Sequence, residues 1–251
     1  MKGVASPPPQ TIPQTQRDVA ARALPGMQRL DGPDWITVDA AYTAQLATKA
    51  RLIEERPRDV IACLPQAQEA VAETLEEVFG RLGERPDFVV GTNAVQRPDG
   101  VMVDLDRSAP LETLSRLIQE DLCILQEEGE THVLTAALLC FPASWMLSEK
   151  LGRGLPAIHR PVAEYTGDIA KRVQRLFDGI KVGQPMWRAN YLPYQDRDLY
   201  QPRSEDDRRG TPKESAPFER SERQTLWRLP MSRAVVFSIH TTVCAVVPPD
   251  Q

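Results

Sequence analysis

The stretch Leu122–Phe141 reads LCILQEEGETHVLTAALLCF, two apolar runs on either side of the polar EEGE. Runs of this kind bounded by a short glycine-containing turn predict a β-hairpin, and HVLTAALLCF is apolar enough to lie inside a sheet. Pro142 ends the second strand, since proline has no N–H to give to a ladder. Upstream, Pro110 precedes a short helix over ETLSRLIQE. FVVGT and VMVDL, separated by the Pro98-Asp99-Gly100 turn, read as extended chain. Further back, Val71, Leu75, Val78, Phe79 and Leu82 form one stripe of a 3.6-residue period, with Glu73, Glu76, Glu77 and Arg81 outside it. An earlier helix carries Ala41, Leu46 and Leu52, is capped by Asp39 and ends at Arg56-Pro57.

Downstream of the hairpin, Asp168 to Phe177 reads as a helix through Ile169, Val173, Leu176 and Phe177, and WRANYLPY as extended chain. A polar stretch from Arg197 to Ser221 precedes QTLWRLP and the β-branched AVVFSIHTTVCAVV. The expected fold class is α+β, an antiparallel sheet with flanking helices and a helical N-terminal third. Residues 1–24, rich in Pro, Gln and Ser, are expected to form a tail whose first half is flexible or lies extended on the body. Residues 25–251 then form a single domain.

Composition narrows the function classes. Lys and Arg total 30 against 35 Asp and Glu, a net charge of −5 with both signs scattered, so no basic stripe favours nucleic acid. No apolar run approaches the ~20 residues of a membrane span, and a cytoplasmic protein is expected. The 4 Cys form no CxxC pair and the 3 His are far apart, which leaves room for a cofactor needing one or two protein ligands. The 22 Pro outnumber the 14 Gly and imply many fixed corners.

A set of local strings carries more. LPGMQRLDGPDW, QEDLCIL, LLCFPASWMLSEKLGRGLPAIHRPV from Leu138 to Val162, WRANY and ERSERQTLWRLPMSRAVVFSIHT appear in order from Leu24 onward. Together they resemble the haem-dependent oxidative N-demethylase alpha-subunit family. The resemblance implies a PAS-like haem-binding fold and an oxidoreductase, a monooxygenase that uses O2 to convert a methylated amine such as dimethylamine to the demethylated amine and formaldehyde. It also implies haem b, and electrons from a separate reductase chain carrying FMN and a [2Fe–2S] cluster in a hetero-oligomer.

On this resemblance His159, in the IH-x-PV string bracketed by Pro156 and Pro161, is the axial ligand of the haem iron. From the residues alone a histidine hydrogen-bonded at a loop corner is the favoured reading, and the resemblance reverses that order. Cys140 is the rival, as a thiolate ligand, against the reading of a small buried residue at a strand end. Arg188, Arg220 and Arg223 match family positions suited to propionate pairing, with surface ion pairs as the alternative. Asn190 shares a strand face with Arg188 and is a candidate contact for oxygen or substrate, with a bridge between backbone groups at a strand end as the alternative. Trp145 reads as core packing from the residues alone and, on the resemblance, as a candidate cofactor wall. Glu149-Lys150 reads as an exposed pair at a helix start, and His132 as a solvated hairpin residue.

Departures from the family are specific. His240 stands where relatives usually carry Arg, LGRGLP replaces LGRPL, and relatives continue past the last strand where this chain ends at VVPPDQ. The alternative functions are a non-catalytic PAS-like module that senses or binds haem or another small ligand, and a cofactor-free oxygenase subunit.

Overall fold

The computed structural model describes residues 10–32, 35–160, 167–207 and 216–246. Pro161, residues 1–9 of the tail and residues 247–251 lie outside them. The predicted hairpin forms from β6 (Asp121–Glu128) and β7 (Thr131–Leu138). Its ladder breaks once: Ile124 faces Ala136 and Leu125 faces Leu134, so Thr135 is an extra residue on β7. That bulge is stabilised from both sides. The Thr135 carbonyl accepts the Leu64 N–H at 2.8 Å and its hydroxyl donates to Gln126 Oε1 at 2.8 Å.

Ahead of the hairpin the order is α1 (Gln14–Ala20), β1 (Gln28–Arg29), α2 (Tyr42–Glu55), α3 (Pro57–Val60), β2 (Ile61–Cys63) and α4 (Gln68–Gly83). The small strands β3 (Val89–Val90), β4 (Ala94–Gln96) and β5 (Met102–Asp104) and helix α5 (Pro110–Leu117) follow. After the hairpin come α6 (Leu147–Lys150), α7 (Leu155–Ile158) and α8 (Gly167–Gly179), then β8 (Met186–Tyr194), β9 (Phe218–Arg228) and β10 (Val235–Ala245). The main sheet has the order β1-β8-β9-β10-β6-β7-β2, every pair antiparallel, and β3-β4-β5 form a separate sheet. The fold is α+β.

Alternation along the strands divides the core in two. Leu122, Ile124, Ala136, Leu138, Trp227 and Val236 point to a first face, where the stripes of α2, α4 and α5 cover them. Trp35 stacks on Trp227 there, with ring centroids 5.0 Å apart. Cys123, Leu125, Leu134, Ala137, Leu226 and Val235 point to the second face. They are covered by the crossover α6–α8 through Leu147, Leu155 and Phe177.

Four elements differ from the sequence reading. A helix, α1, occupies the tail region and packs on β8; Arg17 lies over the Tyr191 ring at 4.6 Å and pairs with Glu219 at 2.5 Å. Helix α5 stops at Leu117, because Ile118 turns extended (φ −128°, ψ 151°) to enter β6. The N-cap of α2 is Ala41, two residues after the expected cap Asp39, whose carboxylate accepts the Ala41 N–H at 2.9 Å.

The largest difference is β9. Its first residues, FERS, fall in the stretch read as polar loop, yet they are paired on both sides, by β8 and by β10. Each polar side chain there has a partner, so ladder pairing overrides the low strand propensity of the sequence. Glu219 takes Arg17 and the Tyr191 hydroxyl, Ser221 donates to the Asn190 carbonyl at 2.7 Å, and Asn190 donates to Glu222 at 2.8 Å.

Arg220 is 1% exposed. It donates to the carbonyls of Phe141 at 2.6 Å and Leu199 at 3.0 Å, and to Glu222 at 3.2 Å. Arg228, on the same face of β9, donates to the carbonyls of Ile180 at 2.7 Å, Phe177 at 2.5 Å and Arg233 at 2.7 Å. Removing the guanidinium of Arg220 takes the donor from two carbonyls and from one oxygen of the buried Glu222 carboxylate. Arg220→Met is expected to lower stability by about 3–5 kcal/mol in urea unfolding. Arg220→Lys recovers only part of it, because an ammonium cannot reproduce the fork. A loss below about 1 kcal/mol for the Met variant would show that the clamp contributes little.

Candidate functional site

The second face of the sheet gathers most of the residues singled out in the sequence. Along β8, Arg188 pairs with Gln224 and Asn190 with Glu222, so these four side chains stand on one side of the ladder. Asn190 holds Glu222 twice, donating from Nδ2 to the carboxylate at 2.8 Å and accepting the Glu222 N–H at 2.7 Å. Gln224 donates to the same carboxylate oxygen as Asn190 at 3.1 Å. Glu222 is 6% exposed and therefore a buried carboxylate with fixed orientation. No sequence signal marks it, because ERSER reads as a solvated charge run until its strand register is known.

Arg188 is different. Its guanidinium is half-buried, and among the described residues no side chain or carbonyl pairs with it. Burial pulls its pKa down from the usual arginine range, opposed only by the more distant charge of Glu222. A desolvated cation without a counter-ion is costly, so this position favours an anionic group.

The crossover brings His159 over this face. Helix α7 is one turn long, with Gly154 as N-cap and Pro156 in the first turn. Gly154 is required by close approach: a Cβ there would come within 2.7 Å of the Thr131 side chain. His159 follows as the C-cap, its backbone N–H on the Leu155 carbonyl at 3.1 Å and its Nδ1 on the same oxygen at 2.9 Å. A carbonyl can only accept, so Nδ1 carries the proton and the imidazole lone pair resides on Nε2. Burial, with the charges of Lys150 and Arg188, moves the His159 pKa downward and keeps the ring neutral; the Leu155 carbonyl opposes this. Trp145 and Ile158 pack against the same apolar cluster, opposite Leu226 and Phe237.

Other sequence candidates lie elsewhere. Arg220 shares this face, but both of its terminal nitrogens are taken by the Phe141 and Leu199 carbonyls and by Glu222. Arg223 projects to the first face, where it lies over the Trp187 ring at 5.7 Å and donates to Thr37 Oγ1 at 3.2 Å. The structure therefore does not bring Arg223 to His159. Cys140 is fully buried on the first-face side, and burial, reinforced by Asp121, pushes its thiol well up, which opposes thiolate formation.

Two expectations are corrected outright. His132 is not solvated but 1% exposed, because the bulge at Thr135 turns it under α8, against Phe177 at 5.3 Å and Gln174 at 3.0 Å. Lys150 is not on the surface either: it is 3% exposed and bonded to the Ile158 carbonyl at 2.7 Å. Glu149 instead accepts the Glu205 N–H.

His240 belongs to the first face. Both ring nitrogens are buried without a hydrogen bond, and Nε2 lies 3.4 Å from Asp39. Burial drives its pKa down to about 4, against the pull of Asp39. Nearby Glu120 accepts the Thr37 N–H at 2.6 Å through one oxygen and buries the other unpaired. Burial raises its pKa to about 7, although Lys49 and Arg223 act the other way.

A model of the family described as haem-dependent oxidative N-demethylase, alpha subunit-like, matches residues 26–247. The match spans both faces of the sheet and the whole crossover.

The first-face cluster makes stability depend on pH in a defined sense. A carboxyl whose folded pKa is raised keeps its full contribution below about pH 4.5 and loses it as pH climbs to about 7. His240 acts oppositely: its depressed folded pKa costs stability as pH falls from the ordinary histidine value, 6.5, toward 4. Glu120→Gln removes the first slope alone. Relative to wild type, its stability is expected to rise between pH 5 and 7.5 by up to roughly 3 kcal/mol. Parallel urea-unfolding profiles for the two proteins would contradict this.

Proposed function

Because the chain belongs to the haem-dependent oxidative N-demethylase alpha subunit-like family, we propose that it is a haem-binding oxidoreductase that demethylates a small methylated amine. The substrate class is that of dimethylamine, and the products are the demethylated amine and formaldehyde. Haem, when bound, supplies the oxidising chemistry with O2 and electrons.

The observation that carries the reading is the anchoring of His159. Nδ1 is fixed on the Leu155 carbonyl and the ring is held neutral, an arrangement that turns the imidazole lone pair toward a metal. The surrounding residues fit the same group. Arg188 offers a desolvated guanidinium to a propionate, and Trp145, Ile158, Leu226 and Phe237 offer apolar surface to a flat macrocycle. Asn190 and Glu222 form a fixed polar couple on this face, and the carboxylate is the acceptor we assign to orienting the amine N–H.

The core order β8-β9-β10-β6-β7, a hairpin joined through a helical crossover to a three-stranded meander, supports the PAS-like part of the reading. In that scheme the sheet is the floor and the crossover the roof, and both exclude water from the amine. Membership as an alpha-type subunit supports a hetero-oligomer in which a reductase chain with FMN and [2Fe–2S] delivers the electrons.

The test is optical and chemical. The chain supplemented with haem b is expected to show a Soret band, and His159→Ala is expected to weaken haem affinity at least tenfold and alter the band. Formaldehyde release from dimethylamine with a surrogate electron donor reports the activity. A chain that stays colourless with added haem refutes the reading, and an unchanged band in His159→Ala refutes the ligand assignment.

A further inference from the structure

We infer that Lys150 is a positioning residue for His159, fixing the peptide plane from which the imidazole projects. The inference rests on the axial role proposed for His159. Helix α7 has a single turn, too short to hold itself, so its orientation must come from tertiary contacts. The peptide joining Ile158 to His159 is held at both of its polar atoms. Its N–H bonds to the Leu155 carbonyl at 3.1 Å, and its carbonyl accepts from Lys150 Nζ at 2.7 Å.

The imidazole Nδ1 then uses the same Leu155 oxygen at 2.9 Å. With the peptide plane and the ring both tied, the direction of Nε2 is set by three bonds rather than by side-chain packing alone. A backbone carbonyl at a helix end is normally satisfied by water or a cap. Here a buried ammonium does it.

Lys150 is itself held. Its Nζ meets Glu205 Oε1 at 2.6 Å, and Arg153 reaches the same oxygen at 3.2 Å. Glu149 closes the clasp in reverse, both of its carboxylate oxygens accepting the Glu205 N–H at 3.2 and 3.1 Å. Lys150 therefore cross-ties α6, the end of α7 and the segment after β8. The length of the lysine stem matters: the donor has to span from α6 to the far end of α7 while its charge stays paired.

The experiment uses the haem-loaded full chain. Its readouts are the iron–imidazole stretching band of the ferrous form by resonance Raman and the rate of haem loss to an excess of an apoglobin acceptor. Lys150→Met, which keeps the stem and removes both bonds, is expected to shift or broaden the band and speed haem loss at least tenfold. Lys150→Arg, which keeps a charged donor, is expected to retain most of the wild-type band. Should the Met variant not accumulate as folded protein, Lys150→Gln, a shorter neutral donor, replaces it with the same expectation.

A folded Lys150→Met protein with the wild-type band and haem-loss rate overturns the positioning role. The His159→Ala control separates the two ideas. If that variant keeps the wild-type band, the axial assignment falls and this inference with it. If it loses the band while Lys150→Met does not, only the role of Lys150 is refuted.

Discussion

Two guanidinium forks on one strand hold the second layer of this protein in place. Arg220 binds the Phe141 carbonyl, where the chain leaves β7, and Arg228 binds the Phe177 and Ile180 carbonyls, where α8 ends. Between those points lies the whole crossover that carries Trp145 and His159. Arginine suits the task because its donors form a rigid planar array with no acceptor of its own, so one side chain satisfies several carbonyls at once. The Phe141 peptide is also gripped from its other side: its N–H bonds to Asp121 at 2.6 Å, and Asp121 is paired with Lys49 at 3.1 Å. A chain of buried polar contacts thus runs from α2 under the first face to Glu222 on the second.

β9 serves both faces because its side chains alternate. Even-numbered positions from Arg220 to Arg228 hold the crossover and line the candidate site, while Arg223, Thr225 and Trp227 face the N-terminal helices. The two sides differ chemically. Beneath α2 the buried groups His240 and Glu120 have atoms left unpaired and pKa values displaced by burial. Over the second face, Glu222 and His159 are firmly hydrogen-bonded, and the half-buried Arg188 has no hydrogen-bond or ion-pair partner among the described residues.

Much of this was legible where one residue pattern had one structural meaning. The stripe from Val71 to Leu82 became α4, the apolar hairpin became β6 and β7, and the β-branched run became β10. The start of β9 was not legible, since ERSER has the composition of a solvated loop and becomes strand only because two neighbours pair with it. The faces of Arg220 and Arg223 followed from that: an odd spacing within a strand separates them, but the rule applies only once the strand is known. His132 and Lys150 were hidden for another reason. Their burial is decided by elements distant in sequence, α8 and the segment carrying Glu205.

The bulge at Thr135 carries a consequence for how this hairpin can change in length. With that residue in place, Leu134 and His132 join the second face although they lie on the far side of a break in the ladder. Side chains on a strand have a period of two, so insertion or loss of a single residue between Thr135 and the turn would exchange the surfaces offered to the helices and to the crossover. Changes in pairs would preserve them. The hairpin is therefore constrained by the parity of its residue count as well as by its hydrophobicity, and drift in its sequence is tolerated far more readily than drift in its length.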